Sequence, residues 1–178
     1  MKNLFTLATV LFSVFIIHAQ QYKPADDKSS VKFSIRNFGI STGGDFKGLD
    51  GKIEFDKVSP EKTVFNISIS SATVNTDNSS RDSHLRKEEY FDVAQYPKIS
   101  FVSEKVTTRG AGYLVSGKLT IKGTTKNISF PFKATAGTDG YLFEGSFQLN
   151  RRDYGVGGSS MVLSDNVTVS LAVFGKNL

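Results

Sequence analysis

Val31-Lys32-Phe33-Ser34-Ile35-Arg36 puts an apolar side chain at every second position and a polar one at each position between. Successive side chains of a strand point to opposite faces, so this spelling predicts a strand with one buried and one wet face. The same period recurs along the chain. Ile53 and Phe55 alternate with Lys52, Glu54 and Asp56; Phe65, Ile67 and Ile69 with Asn66, Ser68 and Ser70; Ile99 and Phe101 with Lys98 and Ser100. Tyr113, Val115, Leu119 and Ile121 share a face interrupted at Gly117. Ile128, Phe130 and Phe132 follow, then Tyr141, Phe143, Phe147 and Leu149, and finally Val167, Val169, Leu171 and Val173. Eight strands are expected from this pattern.

The punctuation agrees with strands joined by short turns. Asp50-Gly51 spells a hairpin turn. Ser59-Pro60-Glu61-Lys62, Arg109-Gly110-Ala111-Gly112, Lys122-Gly123-Thr124-Thr125 and Thr138-Asp139-Gly140 read as further turns. Such short links make neighbours antiparallel, because parallel crossovers need a dozen or more residues. Two longer connections interrupt the meander, over 75–96 and from Asn150 to Ser160. Gly39, Gly43 and Gly44 would let a long first strand kink through bulges. An all-β meander of this size removes its edges most economically by closing into an eight-stranded antiparallel barrel; a two-sheet sandwich is the structural rival. An outer-membrane barrel would turn its apolar face outward and carry aromatic girdles, which a chain without tryptophan does not suggest. An eight-stranded interior is filled by side chains or holds one slender ligand, and the inward set here is rich in Phe and Ile.

Composition narrows the function. Met1-Lys2, the apolar run Leu4 to Ile17 and the His18-Ala19 pair read as a signal peptide over 1–19. The expectation is a periplasmic or secreted domain over 20–178. The chain has no cysteine, so no disulfide staples it and no lipidated cysteine anchors it to a membrane. Beyond the leader stand 21 basic and 17 acidic residues, scattered rather than gathered on a basic face, which argues against nucleic-acid binding. No cofactor is expected, and the one histidine beyond the leader, in a chain without cysteines, excludes a zinc site built from several such ligands.

Two clusters carry polar chemistry. The first is Arg81-Asp82-Ser83-His84-Leu85-Arg86, on a short helical insertion around 79–90 that Asp77, Asn78 or Ser79 would cap. Asp82 with Arg86, and His84 with Glu88, stand at i,i+4 and could pair. Arg81, His84 and Leu85 share a face that could line the mouth of a barrel. The functional reading is a polar group greeting the head of an amphiphile; the bland one is a lid held by ion pairs. A serine–histidine–acid arrangement lacks its Gly-x-Ser-x-Gly elbow, so catalysis by His84 stands as a rival only. The second cluster, Asn150 to Gly158, reads as a flexible loop folding over one barrel end, with Arg151 or Arg152 available to an anionic head group.

Read together and in order, these stretches resemble a known family. Arg81-Asp82-x-His84-Leu85-Arg86, Tyr90-Phe91-Asp92 and Tyr96-Pro97-x-Ile99-x-Phe101-x-Ser103 look like the central motif of the YceI-like proteins. Gly117-x-Leu119-Thr120-Ile121-x-Gly123-x-Thr125-Lys126 and Asn150-Arg151-x-Asp153-Tyr154-Gly155 are similar to its later motifs; Val31-x-Phe33-x-Ile35 and Phe46-x-Gly48 fit its opening. The resemblance implies a bacterial, exported, lipocalin-like barrel that binds polyisoprenoid or other long-chain amphiphiles in a hydrophobic tunnel, with no established enzymatic activity. On that basis the tail of a long-chain lipid or isoprenoid would lie along Phe33, Ile35, Phe55, Ile67, Ile69, Phe101, Leu119, Ile121, Phe130, Phe143 and Phe147. Arg81, His84 and Arg151 would form a polar rim. A packed structural barrel without ligand is the other alternative, and the oligomeric state stays open, a dimer included.

Overall fold

The computed structural model describes residues 20–178, so the expected leader lies outside the described residues. Ten strands form one antiparallel sheet: β1 (Gln20–Pro24), β2 (Ser30–Asn37), β3 (Ile40–Phe46), β4 (Asp50–Phe55), β5 (Val64–Ser70), β6 (Lys98–Arg109), β7 (Gly112–Ile121), β8 (Thr124–Ala136), β9 (Gly140–Asn150) and β10 (Leu163–Asn177). β1 pairs with β4 on one side and with the end of β10 on the other, which closes the ring. β1 and β2 lie end to end along β10, and β3 and β4 continue each other beside them. Each of these two staves is broken in the middle, so ten segments make the eight staves that the alternation predicts. A closed ring excludes the sandwich, and its outward positions, such as Lys32, Ser34 and Arg36, are exposed and polar.

The breaks fall elsewhere than the glycines suggest. The first stave leaves the ladder over Ala25–Ser29, where the Ser29 hydroxyl accepts the Phe174 N–H at 2.9 Å. Across this gap the Asp26 carboxylate accepts the Leu49 N–H at 2.8 Å, and that bond holds its pKa below the usual carboxyl value. Phe38 and Gly39, at φ 50° and 76°, instead make the tight turn between β2 and β3, where left-handed backbone is required. Asp50-Gly51 is no hairpin turn. Both residues lie within β4, paired to Ser68 and Ile67, and at φ 126° Gly51 brings its backbone against the Asn66 carbonyl, where a Cβ would collide. The other turns stand where the sequence places them. β1 and β3 escape the alternation because Gln20-Gln21-Tyr22-Lys23 and Ser41-Thr42-Gly43-Gly44 spell little of it; their pairing partners make them strands.

The barrel is solid at the end that carries the β4–β5, β6–β7 and β8–β9 turns. Tyr22, Ile53, Phe55, Phe65, Val106, Val115, Phe132 and Phe143 are buried there in one cluster. Their rings meet edge to face: Phe55 lies 5.2 Å from Phe143 and 5.5 Å from Tyr113, and Phe65 lies 5.4 Å from both Phe132 and Phe143. That is the arrangement aromatic quadrupoles favour. Fully burying such a side chain contributes about 1.5–3 kcal/mol.

Candidate functional site

At the other end the staves enclose a void. A cavity of about 440 Å³ runs between the inner faces of β2, β3 and β5–β10 beneath the β5–β6 connection. Of the residues expected along a tunnel, Phe33, Ile35, Ile67, Ile69, Phe101, Leu119, Ile121, Phe130 and Phe147 line it. Phe55 and Phe143 do not: they belong to the solid end, where neighbouring rings occupy the space. Alternation told which way they face but not whether anything fills the space beside them. Val31, Val167, Val169 and Leu171 complete the wall, together with Leu85 and Phe91 from the connection and Tyr154 and Val156 from the loop after β9. The wall is almost wholly hydrocarbon, so it holds ordered water poorly and favours an apolar occupant. Burial pushes the Tyr154 phenol up, with the nearby Asp153 charge adding to it, so this hydroxyl stays neutral at ordinary pH.

The roof is a fastened lid. Asn78 caps the helix α1 (Ser79–Leu85), its side chain accepting the Arg81 N–H at 2.9 Å. The helix ends at Leu85, short of residue 90, and the chain continues through turns in which the Phe91 N–H returns to the Leu85 carbonyl at 3.0 Å. The pairings expected along it give way to others. Asp82 is buried and accepts the Thr76 N–H at 2.9 Å rather than meeting Arg86. Arg86 donates to the carbonyls of Ala72 and Val74 at 2.8 and 2.9 Å, and His84 faces Glu89 at 3.9 Å rather than Glu88. The lid is therefore held mainly by side-chain bonds to backbone, which stay in place where surface ion pairs would be screened. Two further ties fix it: a backbone bridge between Asn75 and Asp45 of β3, and the Gly157 N–H donating to the Glu89 carbonyl at 2.9 Å.

The three expected rim residues all border the cavity, in different states. Arg151 is buried at 4 % exposure, and its guanidinium is spent on the Ser164 and Val156 carbonyls and on Asp165 at 3.0 Å. It organises the turn at Arg151–Tyr154 and the start of β10, so the loop read as flexible is pinned. Arg152 reaches the other oxygen of Asp165 at 3.4 Å. His84 leans on the Tyr90 ring at 4.9 Å with its side chain half exposed. Arg81 donates through Nε and Nη2 to the hydroxyl and carbonyl of Thr76, at 2.8 and 2.7 Å, which leaves Nη1 without a partner among the described residues. No group of three or more His, Cys, Asp or Glu among the described residues could hold a metal ion. Leu85 lines the cavity from the lid face that its spacing from Arg81 and His84 predicts, whereas Tyr90 and Phe91, which line it too, were not foreseen there because they lie beyond the helix in the turns that follow.

Known proteins share this fold. A protein called YceI from Salmonella arizonae is 32% identical over 187 aligned positions, covering 98% of this chain and 97% of its own. The crystal structure of BcnA from Burkholderia cenocepacia superimposes with a TM-score of 0.81 at 23% identity, over 85% of this chain and 98% of that one. A polyisoprenoid binding domain from Saccharophagus degradans, implicated in plant cell wall breakdown, gives 0.69 at 16% identity, over 91% of this chain and 100% of that one. These two likenesses, both at low identity, establish a shared fold. The family model described as the YceI-like domain matches residues 22–174, nearly all of the described chain, and the protein belongs to that YceI-like family.

Proposed function

We propose that this protein binds a long-chain amphiphile, a polyisoprenoid or a fatty-acid-derived lipid, and carries or sequesters it outside the cytoplasm. The observation that carries the reading is the cavity: an apolar void of about 440 Å³ in a barrel whose other end is packed solid. A protein that needed only a stable barrel would fill both ends, since each missing packing partner costs stability. The volume falls within the range of small-molecule sites, about 300–1,000 Å³. Each chain methylene buried contributes about 0.8 kcal/mol, so a long tail supplies most of the affinity. Arg81 takes the polar head through its free Nη1, and Arg151 serves as a strut. Support for the class of ligand comes from the polyisoprenoid-binding relative, and for export from the apolar leader at 4–17.

The test is mass spectrometry of the lipid extracted from natively purified protein, with titration of a fluorescent long-chain fatty acid into delipidated protein. Co-purifying lipid and saturable binding of the probe are the expected results. An empty extract together with no probe binding would sink the carrier reading and leave a structural barrel. Turnover of a lipid ester that disappears in His84→Ala, with probe occupancy intact, would replace it by an enzyme.

A further inference from the structure

The mouth of the cavity carries exposed hydrocarbon. Phe38 at the tip of the β2–β3 hairpin is 74% exposed and Ile40 72%, while Met161 and Val162, just before β10, are 103% and 40% exposed. These belong to one place. The Phe38 N–H donates to the Val162 carbonyl at 2.9 Å, and Leu163 pairs with Asn37. Asn37 and Leu163 in turn line the cavity, so the two loop tips stand at its rim, and among the described residues nothing covers them. Water-exposed Phe and Ile on a turn contribute nothing to the barrel's stability, so their apolar character calls for a contact outside the molecule.

We infer that these two loop tips insert into the surface of an anionic lipid bilayer and bring the cavity mouth to the membrane for loading and unloading; this rests on the lipid-carrier reading above. Geometry favours a bilayer over a protein partner. Four side chains on two narrow tips fall well short of the roughly 800 Å² per partner that a stable protein interface buries. Tips of this size do suit the boundary between head groups and acyl chains, where amphipathic elements bury their apolar side. Charge agrees: Arg36 lies two residues from Phe38, Arg81 borders the same mouth, and the chain past the leader carries 21 basic against 17 acidic residues. A lipid leaving this mouth into water would expose its tail, whereas a docked mouth lets the tail pass from one apolar phase to another.

The absence of tryptophan makes the test direct, because one introduced indole reports alone. Phe38→Trp places it at the mouth, and Val58→Trp, at an 83% exposed position in the β4–β5 turn, places it at the solid end. With vesicles of equal parts phosphatidylglycerol and phosphatidylcholine, emission from position 38 shifts to the blue and emission from position 58 does not. Ile40→Ser with Met161→Ser weakens co-sedimentation with these vesicles by roughly tenfold or more, while fatty-acid binding in solution is unchanged. No shift at position 38, or equal shifts at both positions, overturns the inference. So does a shift at 38 that grows with protein concentration without vesicles, which would make the tips an interface between copies. None of these readouts depends on the lipid extract, so docking and carriage can fail separately.

Discussion

The two ends of the barrel use the same residue types and differ in what those residues do. At the solid end Phe55, Phe65, Phe132 and Phe143 answer one another ring to edge, and β1 adds Tyr22, which meets Tyr141 at 5.7 Å. Around the cavity the inward aliphatics Ile67, Ile69, Val169 and Leu171 face open space, and the rings pack along the wall: Phe130 stacks on Phe147 at 4.8 Å. An inward-facing apolar residue is thus no guarantee of a filled core. The solid half supplies the stability that lets the other half stay open.

Five substitutions would break or sharpen that contrast. Phe143→Ala removes a ring from the centre of the solid end and should cost about 3–5 kcal/mol, measured by urea denaturation. A cost below about 1 kcal/mol would mean that this end is not where the stability resides. Enlarging a side chain should have opposite meanings at the two ends. Val106→Phe, at a position with 0% exposure, should cost about 1–3 kcal/mol by overpacking. Val169→Phe, pointing into the void, should change stability by less than about 1 kcal/mol yet abolish binding of the fatty-acid probe, as isothermal titration would show.

Asp26→Asn tests the seam between the broken staves and should cost about 1 kcal/mol at neutral pH. The folded carboxyl titrates below its ordinary value of 3.8, so its contribution is full above that pH and fades as the pH falls further. Wild type and variant should therefore converge in denaturation experiments in the acid range below about pH 4. The smallest effect belongs to His84→Ala: within about 0.5 kcal/mol of wild type, with probe affinity unchanged, because this ring lies at the edge of the lid rather than in its fastening. A large loss at His84 would move the function from the cavity wall to the lid.

Much of this was legible. The period of two names every stave from β5 to β10, and the spacing of Arg81, His84 and Leu85 puts all three over the cavity. The bonds of Arg151 were not legible, because they join a turn to Ser164 and Asp165 across an intervening loop. Nor were those of Asp82 and Arg86. Helix spacing suggests that the two meet, but backbone groups of residues 72–76 compete for them and win.

The sequence by itself determined which side chains face inward, since a strand's pleat is local and every second residue must follow it. It also determined that the inside would be greasy and that a charged lid would interrupt the meander. Only the tertiary structure decided that Phe55 and Phe143 lie in solid core while Phe101 and Phe147 border a void. A void is the difference between the space enclosed by eight staves and the summed volume of everything pointing into it. No single stretch of chain holds that difference.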